Sequence, residues 1–494
     1  MGGPPSPNVL NGQYAFALSG FDPAGNNPMA IVGSITADGL GHITGGSVDV
    51  NDNQIISSST GALAGSYTLD SNFRGVITLT SAVGSVTHPL AIAFTLKTDG
   101  TFGDLIDADA NNFVLSGRMQ KQDATAFSLA KLAGDFAFEL DSRAPSQNSV
   151  LGRFTLGQAG TSTNIVFDAS NSGVGTSGPL SGGPLAVTFT ASGPNGSGRG
   201  IFTVIDSANQ TANFVYYVIG AGNFLAMETD PTGGAAQTIY TGVASKQTTP
   251  FSATTVNTPA SVFALTGFDT LSPNDIVAVG LLQIMNSNTA SLRWDTDDVG
   301  TIFSQTLAAQ TVTFDPSTGR GTITVTGGAA IGLFDSAVFY LTDSGKGFLV
   351  DATAGASNRA LAGRLQAQAG SGSFAATALS GNTMLRASGL SLNDNGAFDG
   401  LVSGNVNNNV LTGTAVGDFR NLAGTSALNL STNLIPGNLT INASTGRGTL
   451  IFPSPGNTFT NTNVFYVIGP KQYVLIDETP PPNNAIPIEF HDPQ

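Results

Sequence analysis

The sequence contains an internal repeat, which limits the folds open to the chain. Four times, a turn is followed by Arg-Gly and then by alternating apolar and polar residues. The arginines are Arg74, Arg199, Arg320 and Arg447, spaced 121 to 127 residues apart. A period of this length is the size of a small domain, so each copy is predicted to fold as a domain of its own.

Two further phrases recur in the same order. The first is a pair of apolar strands ending in a carboxylate, and the second is a closing phrase before a phenylalanine at Phe127, Phe251 and Phe374. In copies one to three the closing phrase ends in Gln122, Gln247 and Gln368. The order predicts domains at 1–126, 127–250, 251–373 and 374–494, with very short linkers, so that neighbouring domains touch.

Each copy is predicted to be antiparallel β structure. In the first copy about eight short runs alternate with a period of two, and no segment has an apolar stripe of helical period. The turn from Asp315 to Gly319 combines Pro316 with a glycine suited to positive φ, as in a type I turn with a G1 bulge. A sequential meander favours four tandem barrel-like domains of about 120 residues, with two-sheet sandwiches as the alternative.

The composition excludes several classes of protein. Charged residues make up 10% of the chain and the net charge is −15, which disfavours nucleic acid as a partner. The chain has no cysteine, so disulfides, thiolate catalysis and cysteine-based zinc sites are excluded. No apolar run is long enough for a transmembrane helix, no signal peptide is recognisable, and no pattern indicates a cofactor.

Charges are scarce, so two recurring charges require an explanation. An arginine begins one strand of each copy and a carboxylate ends a later one: Arg74 and Asp107, Arg199 and Glu228, Arg320 and Asp351, Arg447 and Asp477. One interpretation is a structural ion pair within each copy, above all Arg199 with Glu228 and Arg320 with Asp351. The alternatives are a ligand-binding role repeated four times and a solvated strand end without pairing.

Other chemistry has only scattered candidates. Asp49, Asp52, Asp295 and Asp297 lie in acidic clusters that are candidates for calcium, which prefers oxygen ligands. Trp294, the single tryptophan, stands beside Asp295 and is the most enzyme-like position, since glycoside hydrolysis needs only two carboxylates. No catalytic residue is identified.

The fourth copy lacks the closing phrase and ends instead with the apolar run from Ala485 to Phe490. This segment is predicted to pair as a strand in the fourth domain, or else with a neighbouring molecule by strand addition.

The phrase from Leu10 to Asp22 resembles the opening of repeats in exported proteins of acidobacteria. The run from Thr36 to Gly39 and the Thr-Gly-Arg-Gly turns share this resemblance, which covers essentially the whole chain and is weakest over 374–420. Members of that family often look like lipoproteins with Cys-Gly-Gly after the signal peptide, where this chain has Met1-Gly2-Gly3. The resemblance implies export and lends little about activity.

Together these observations predict a secreted or cell-surface protein with a structural, adhesive, or matrix or envelope role and no evident catalysis. Its expected partners are surface polysaccharides or other envelope and matrix proteins. The alternative is a polysaccharide-binding or polysaccharide-cleaving protein that uses carboxylates.

Overall fold

The computed structural model describes most of residues 7–493. It leaves out residues 23–26, 53–54, 61–62, 81–88, 110–112, 143–147, 172–173, 177–185, 191–192, 206–210, 231–238, 249, 252–259, 270–273, 287, 299–300, 328–332, 354–358, 370–372, 390–395, 422–425, 454–459 and 479–487. The described residues are nearly all β, as the alternating pattern predicts. No helix among them is long and apolar enough to cross a bilayer.

The strands form four separate antiparallel sheets, one for each sequence copy. Domain 1 holds β1 Asn11–Asp22, β2 Asn27–Asp38, β3 His42–Asp52, β4 Ile55–Thr60, β5 Gly65–Tyr67, β6 Arg74–Leu79, β7 Leu90–Leu96, β8 Phe102–Asp107 and β9 Val114–Lys121. Domain 2 holds β10 Gly134–Ser142, β11 Asn148–Leu156, β12 Ser162–Asn171, β13 Val174–Thr176, β14 Ala186–Phe189, β15 Arg199–Ile205, β16 Thr211–Gly220, β17 Asn223–Glu228 and β18 Tyr240–Lys246.

Domain 3 holds β19 Ser261–Asp269, β20 Asn274–Asn286, β21 Thr289–Asp298, β22 Thr301–Asp315, β23 Arg320–Thr324, β24 Ser336–Asp343, β25 Lys346–Asp351 and β26 Arg359–Ala367. Domain 4 holds β27 Gly381–Gly389, β28 Gly396–Asn407, β29 Val410–Asn421, β30 Ser426–Ile441, β31 Arg447–Pro453, β32 Thr460–Gly469, β33 Gln472–Asp477 and β34 Ile488–Pro493. A short helix, α1 Leu129–Leu132, enters domain 2. The boundaries placed in the sequence fall between these sheets.

The sheets are barrels rather than sandwiches. Domains 3 and 4 close because the first strand pairs with the last, and domain 1 closes through pairing of β2 with β3. In domain 2 the described residues show one bridge, between Thr161 directly before β12 and Thr188 of β14, which makes this sheet a near-barrel. Sequential strands within a domain are neighbours except at β4–β5 and β13–β14, so the predicted meander is confirmed for the greater part of each barrel.

The segment at the C-terminal end pairs within domain 4. Strand β34 lies between β27 and β33 and completes the fourth barrel. The expected strand in the fourth domain is therefore confirmed over Ile488–Phe490, whereas 485–487 lie outside the described residues.

The barrel interiors are packed with phenylalanine and aliphatic side chains. In domain 2, for example, Phe189 packs against the rings of Phe154, Phe202, Tyr216 and Phe224, with ring centroids 5.0 to 6.0 Å apart. Phenylalanine has no polar group that needs a partner, so it fills a small barrel without an unsatisfied hydrogen bond.

In domains 2, 3 and 4 the strand after the one that begins with the recurring arginine is buried on both faces. In β16, Phe214, Tyr216 and Val218 point into the barrel core, while the alternating Val215 and Tyr217 pack against residues of domain 1. Strands β24 and β32 divide in the same way between their own barrel and the preceding domain. The preceding domain contributes its first strands to each of these interfaces.

The same interface also joins the last domain to the first. Strands β27, β28 and β29 of domain 4 contact β7, β8 and β9 of domain 1, as β1 and β2 contact β16 and β17. Identical head-to-tail interfaces form a closed ring when the rotation per unit fits. The four barrels therefore form a ring, and the interface between domains 4 and 1 is called the closing interface below.

We expect Phe189→Ala to lower the free energy of unfolding by about 3–5 kcal/mol, because it leaves a cavity between four aromatic neighbours. Chemical denaturation followed by circular dichroism measures this loss. Leu40→Ala is the control, since Leu40 is 69% exposed and its replacement should change stability by no more than about 0.5 kcal/mol. An equal effect of the two changes would contradict the assigned core.

Candidate functional site

In the repeated Arg-Gly phrase, the glycine faces the inside of the barrel and the arginine faces the outside. Gly321 lies opposite Phe339 on the neighbouring strand, and a Cβ at this glycine would be 2.0 Å from the Phe339 ring. The ring therefore covers the glycine inside the barrel. Arg320 precedes it and, because side chains alternate along a strand, points outward to the preceding domain.

Each recurring arginine binds an aspartate of the preceding domain. Arg199 of domain 2 donates through Nε and Nη2 to the two carboxylate oxygens of Asp49 in domain 1, at 2.8 and 2.7 Å. Arg320 binds Asp168 in the same two-pronged way, at 2.9 and 2.6 Å. The third such pair is Arg447 with Asp295. Paired parallel hydrogen bonds of this kind fix the orientation of both groups.

A buried tyrosine completes each of these three sites. The hydroxyl of Tyr217 donates to Asp49 at 2.6 Å, and Tyr340 and Tyr466 bind Asp168 and Asp295 correspondingly. Burial and the adjacent aspartate raise the pKa of Tyr217 well above its usual value, so the phenol stays protonated and remains a donor. The hydrogen bond to Asp49 likewise raises the pKa of Arg199. The aspartates themselves are fully buried.

The predicted pairs within a copy are wrong in their partners. Arg199 binds Asp49 rather than Glu228, and Arg320 binds Asp168 rather than Asp351. Glu228 instead accepts the backbone N–H of Tyr240, and burial raises its pKa to about 7.

The recurring carboxylates have a local role where their bonds are described. Asp351 accepts the backbone N–H and the hydroxyl of Thr353 at 2.8 and 2.6 Å, and so closes the turn after its strand. Asp107 is equally buried and accepts the backbone N–H of Asp109 at 3.5 Å. Asp477 is the last residue of β33 in domain 4. Sequence spacing alone could not show whether an outward arginine binds a carboxylate of another domain or one of its own domain.

A glutamine clamp accompanies each of the first three domain junctions. Gln247 donates through its amide to the carbonyls of Thr318 and Leu341 in the next domain, at 2.9 and 2.7 Å. Gln122 and Gln368 make the matching pairs of bonds in domains 2 and 4. Beside the clamp, Phe251 packs against Gly319, whose φ of +71° suits glycine. The closing phrase thus ties each barrel to the turn that presents the next arginine.

The closing interface keeps the ion pair but changes its surroundings. Arg74 binds Asp418 at 2.6 Å, and both side chains are buried. Thr95 occupies the register position of the tyrosine, and its hydroxyl donates to buried Asp399 at 2.9 Å. Asp399 in turn stands where the other interfaces have Val32, Leu151 and Val279. The closing interface therefore has a buried carboxyl where the other three have an aliphatic side chain.

Further charges join this network. Arg118 binds Asp104 of its own domain and Asp492 of domain 4, each at 3.1 Å, and Arg386 approaches Asp104 at 3.6 Å. Burial raises the pKa of Asp104 even though the two arginines act to lower it. Burial, and then the Asp104 charge, raise the pKa of Asp399 well above its usual value.

Of the calcium candidates, Asp49 and Asp295 belong to the domain interfaces, and the single tryptophan belongs to a barrel core. Asp49 and Asp295 are occupied by arginine and tyrosine, which leaves their oxygens poorly placed for a cation. Asp297 is buried and Asp52 is half-buried at the end of β3. Within the described part of the chain no group of three or more acidic or histidine side chains could hold a metal. Trp294 is fully buried in the core of domain 3 and offers no surface to a sugar.

A cavity of about 600 Å³ lies at the centre of the ring and is lined by all four domains. Its charged lining residues are Arg118, Glu139, Asp141, Lys346, Arg364 and Arg386. The Phe490 ring lies beside two of them, with its centroid 4.9 Å from the Arg386 guanidinium and 5.8 Å from that of Arg118. The cavity was missed in the sequence because its residues come from strands far apart in the chain.

No protein-family model and no curated protein matches this chain. A solved structure described as "Crystal structure of CghA with Sch210972" is 7% identical over an alignment that covers 100% of this chain and 93% of that chain. Its TM-score is 0.14, so this similarity carries no argument about fold or ligand.

We expect Arg199→Gln to lower the free energy of unfolding by about 3 kcal/mol, because it leaves Asp49 buried without its cation. Tyr217→Phe should cost about 1–2 kcal/mol, and the double variant less than the sum of the two, since both act on one carboxylate. Denaturation curves of the four proteins give the coupling energy. Lys97→Gln is the control, because Lys97 belongs to an exposed ion pair, and it should lower the free energy of unfolding by no more than about 1 kcal/mol. If Arg199→Gln lowered it by no more than this control, the assigned role of Arg199 would be contradicted.

The closing interface should weaken as pH rises. A carboxyl whose pKa is raised on folding contributes stability that is complete below its unfolded pKa of about 4 and is lost as pH rises through the higher folded value. We expect Asp399→Asn, which mimics the neutral carboxyl, to reduce this loss in melting curves recorded across that range. Asp343→Asn, at an exposed aspartate, is the control. An unchanged pH dependence in Asp399→Asn would show that Asp399 is ionised in the fold.

Proposed function

We propose that this chain is a non-catalytic structural or adhesive protein, secreted or held at the outer cell surface, whose four barrels act as one rigid block. The observation that carries the proposal is the use of the recurring arginines. They are the repeated charged groups most suited to a repeated binding site, and each is committed to a carboxylate of the neighbouring domain.

The arrangement suits a protein that must hold its shape outside the cell. Cysteine is absent, so no disulfide reinforces the domains, and the interfaces combine apolar side chains with buried ion pairs instead. The resemblance to exported repeat proteins supports the location. Envelope or matrix proteins and surface polysaccharides are the partners that we propose. Strand β34 is paired on both edges, which argues against self-association through it.

The second candidate is a polysaccharide-binding or polysaccharide-cleaving protein. It is favoured by Glu478, whose pKa is raised to about 8 by burial and then by the charge of Asp295. A carboxyl kept neutral near an ionised carboxylate is the arrangement by which glycosidases hold a general acid. Asp295 is bound by Arg447 and Tyr466, however, so its oxygens are already occupied.

A binding screen of the purified chain against surface polysaccharides and cell-envelope fractions, with analysis of released sugars, tests the proposal. We expect retention on envelope or matrix material and no soluble product. Glu478→Gln is the matched variant. Release of sugar by the native chain that disappears in this variant would overturn the non-catalytic proposal in favour of the second candidate.

A further inference from the structure

The residues at the centre of the ring differ among the copies, whereas the interface residues repeat. The outward positions that face the axis lie on the first and last strands of each barrel, at cross-strand pairs in the same register. These pairs are Ala17 with Arg118, Glu139 with Val243, Ala264 with Arg364, and Arg386 with Phe490. A purely structural centre would be expected to repeat as the interfaces do, so the differences point to another use.

The size of the cavity suits a small ligand. Its volume of about 600 Å³ lies within the range of about 300–1,000 Å³ that is usual for ligand sites. Side chains of four domains meet here, and sites between domains are a common place for ligands.

Part of the positive charge in the cavity is already compensated. Arg118 is held between Asp104 and Asp492, and Arg386 lies near Asp104. Arg364 differs, because only its Nε is bonded, to Glu139 at 3.1 Å, and its side chain is 46% exposed. Among the described contacts its two terminal nitrogens have no acceptor.

A second cation of domain 3 lines the same cavity. Lys346 begins β25 and is exposed, and within the described part of the chain its ammonium makes no ion pair. Among the described contacts both cations therefore have donor groups to spare, although Arg364 also binds Glu139. The terminal nitrogens of Arg364 and the ammonium of Lys346 could bind one carboxylate of a ligand without breaking a hydrogen bond that the structure describes.

Apart from the carboxylates of Glu139 and Asp141, the remaining lining is neutral. Amide groups of Gln120, Asn223 and Gln366 and hydroxyls of Ser245 and Thr266 offer neutral hydrogen bonds. Phe490 of domain 4 adds an aromatic ring to the lining, beside the guanidinium groups of Arg386 and Arg118.

We propose that the axial cavity binds a short acidic oligosaccharide, with the carboxylate of a uronic-acid residue held by Arg364 and Lys346. This inference deepens the polysaccharide-binding candidate and is independent of catalysis. The neutral amides and hydroxyls then contact the sugar hydroxyls.

Isothermal titration of the full chain with digalacturonic acid tests the site, with cellobiose as the uncharged probe. We expect binding of the acidic disaccharide and binding of cellobiose at least about ten-fold weaker, because charge-assisted hydrogen bonds contribute roughly 1.5–3 kcal/mol. The double variant Arg364→Gln/Lys346→Gln should bind the acidic disaccharide more weakly by a similar factor. Lys97→Gln, which removes one exposed charge outside the cavity, should leave its affinity unchanged.

Arg364→Gln leaves Glu139 without its cation, so melting curves accompany each titration. Lys346→Gln alone breaks no described bond and keeps the test valid if the double variant unfolds. The proposal would be overturned if digalacturonic acid did not bind, or if cellobiose bound equally well. It would also be overturned if the affinity for digalacturonic acid were unchanged both in Lys346→Gln and in every Arg364→Gln variant that folds. None of these results would bear on the structural role, which the envelope-binding screen tests separately.

Discussion

The whole arrangement depends on a buried aspartate that is shared between two domains. Asp49, Asp168 and Asp295 are fully buried, and removal of a carboxylate from water is expensive unless it is paired and hydrogen-bonded. Two N–H groups of an arginine and the hydroxyl of a tyrosine satisfy that requirement, and all come from the next barrel. An isolated barrel would expose the aspartate and lose these bonds, so each domain is complete only beside its neighbour.

The closing interface must satisfy the same geometry without a linker between its domains. The other three interfaces join consecutive domains, and a glutamine clamp at each junction holds the next turn in place. At the closing interface, threonine and aspartate replace tyrosine and an aliphatic residue, and Asp104 adds another carboxylate. Buried polar groups are costly but directional. We infer that this network selects the correct closing partner at some expense of stability, and the raised pKa of Asp399 makes the interface sensitive to pH.

The fold was largely predictable, whereas the ring was not. Period-two alternation and the turn at Asp315–Gly319 depend on local geometry, so they indicated barrels of about 120 residues. The arginines were found by repetition, but the partners of Arg199, Arg320 and Arg447 lie 150 to 152 positions earlier, beyond the reach of local patterns. One signal was available: the run from Phe214 to Ile219 is continuously apolar, which indicates a strand covered on both faces rather than one with a solvated face.

The proposed ligand site rests on the contrast between repeated and divergent positions in this chain. Interface aspartates and arginines recur because one geometry is used four times, and any single change would break a buried pair. The axis positions vary instead: Ala17, Glu139, Ala264 and Arg386 occupy equivalent places with different size and charge. Four identical linings would offer an oligosaccharide the same donors on every side, whereas a carboxylate at one end of the ligand needs cations on one side only. Arg364 and Lys346 both belong to domain 3, which is the asymmetry that such a ligand requires.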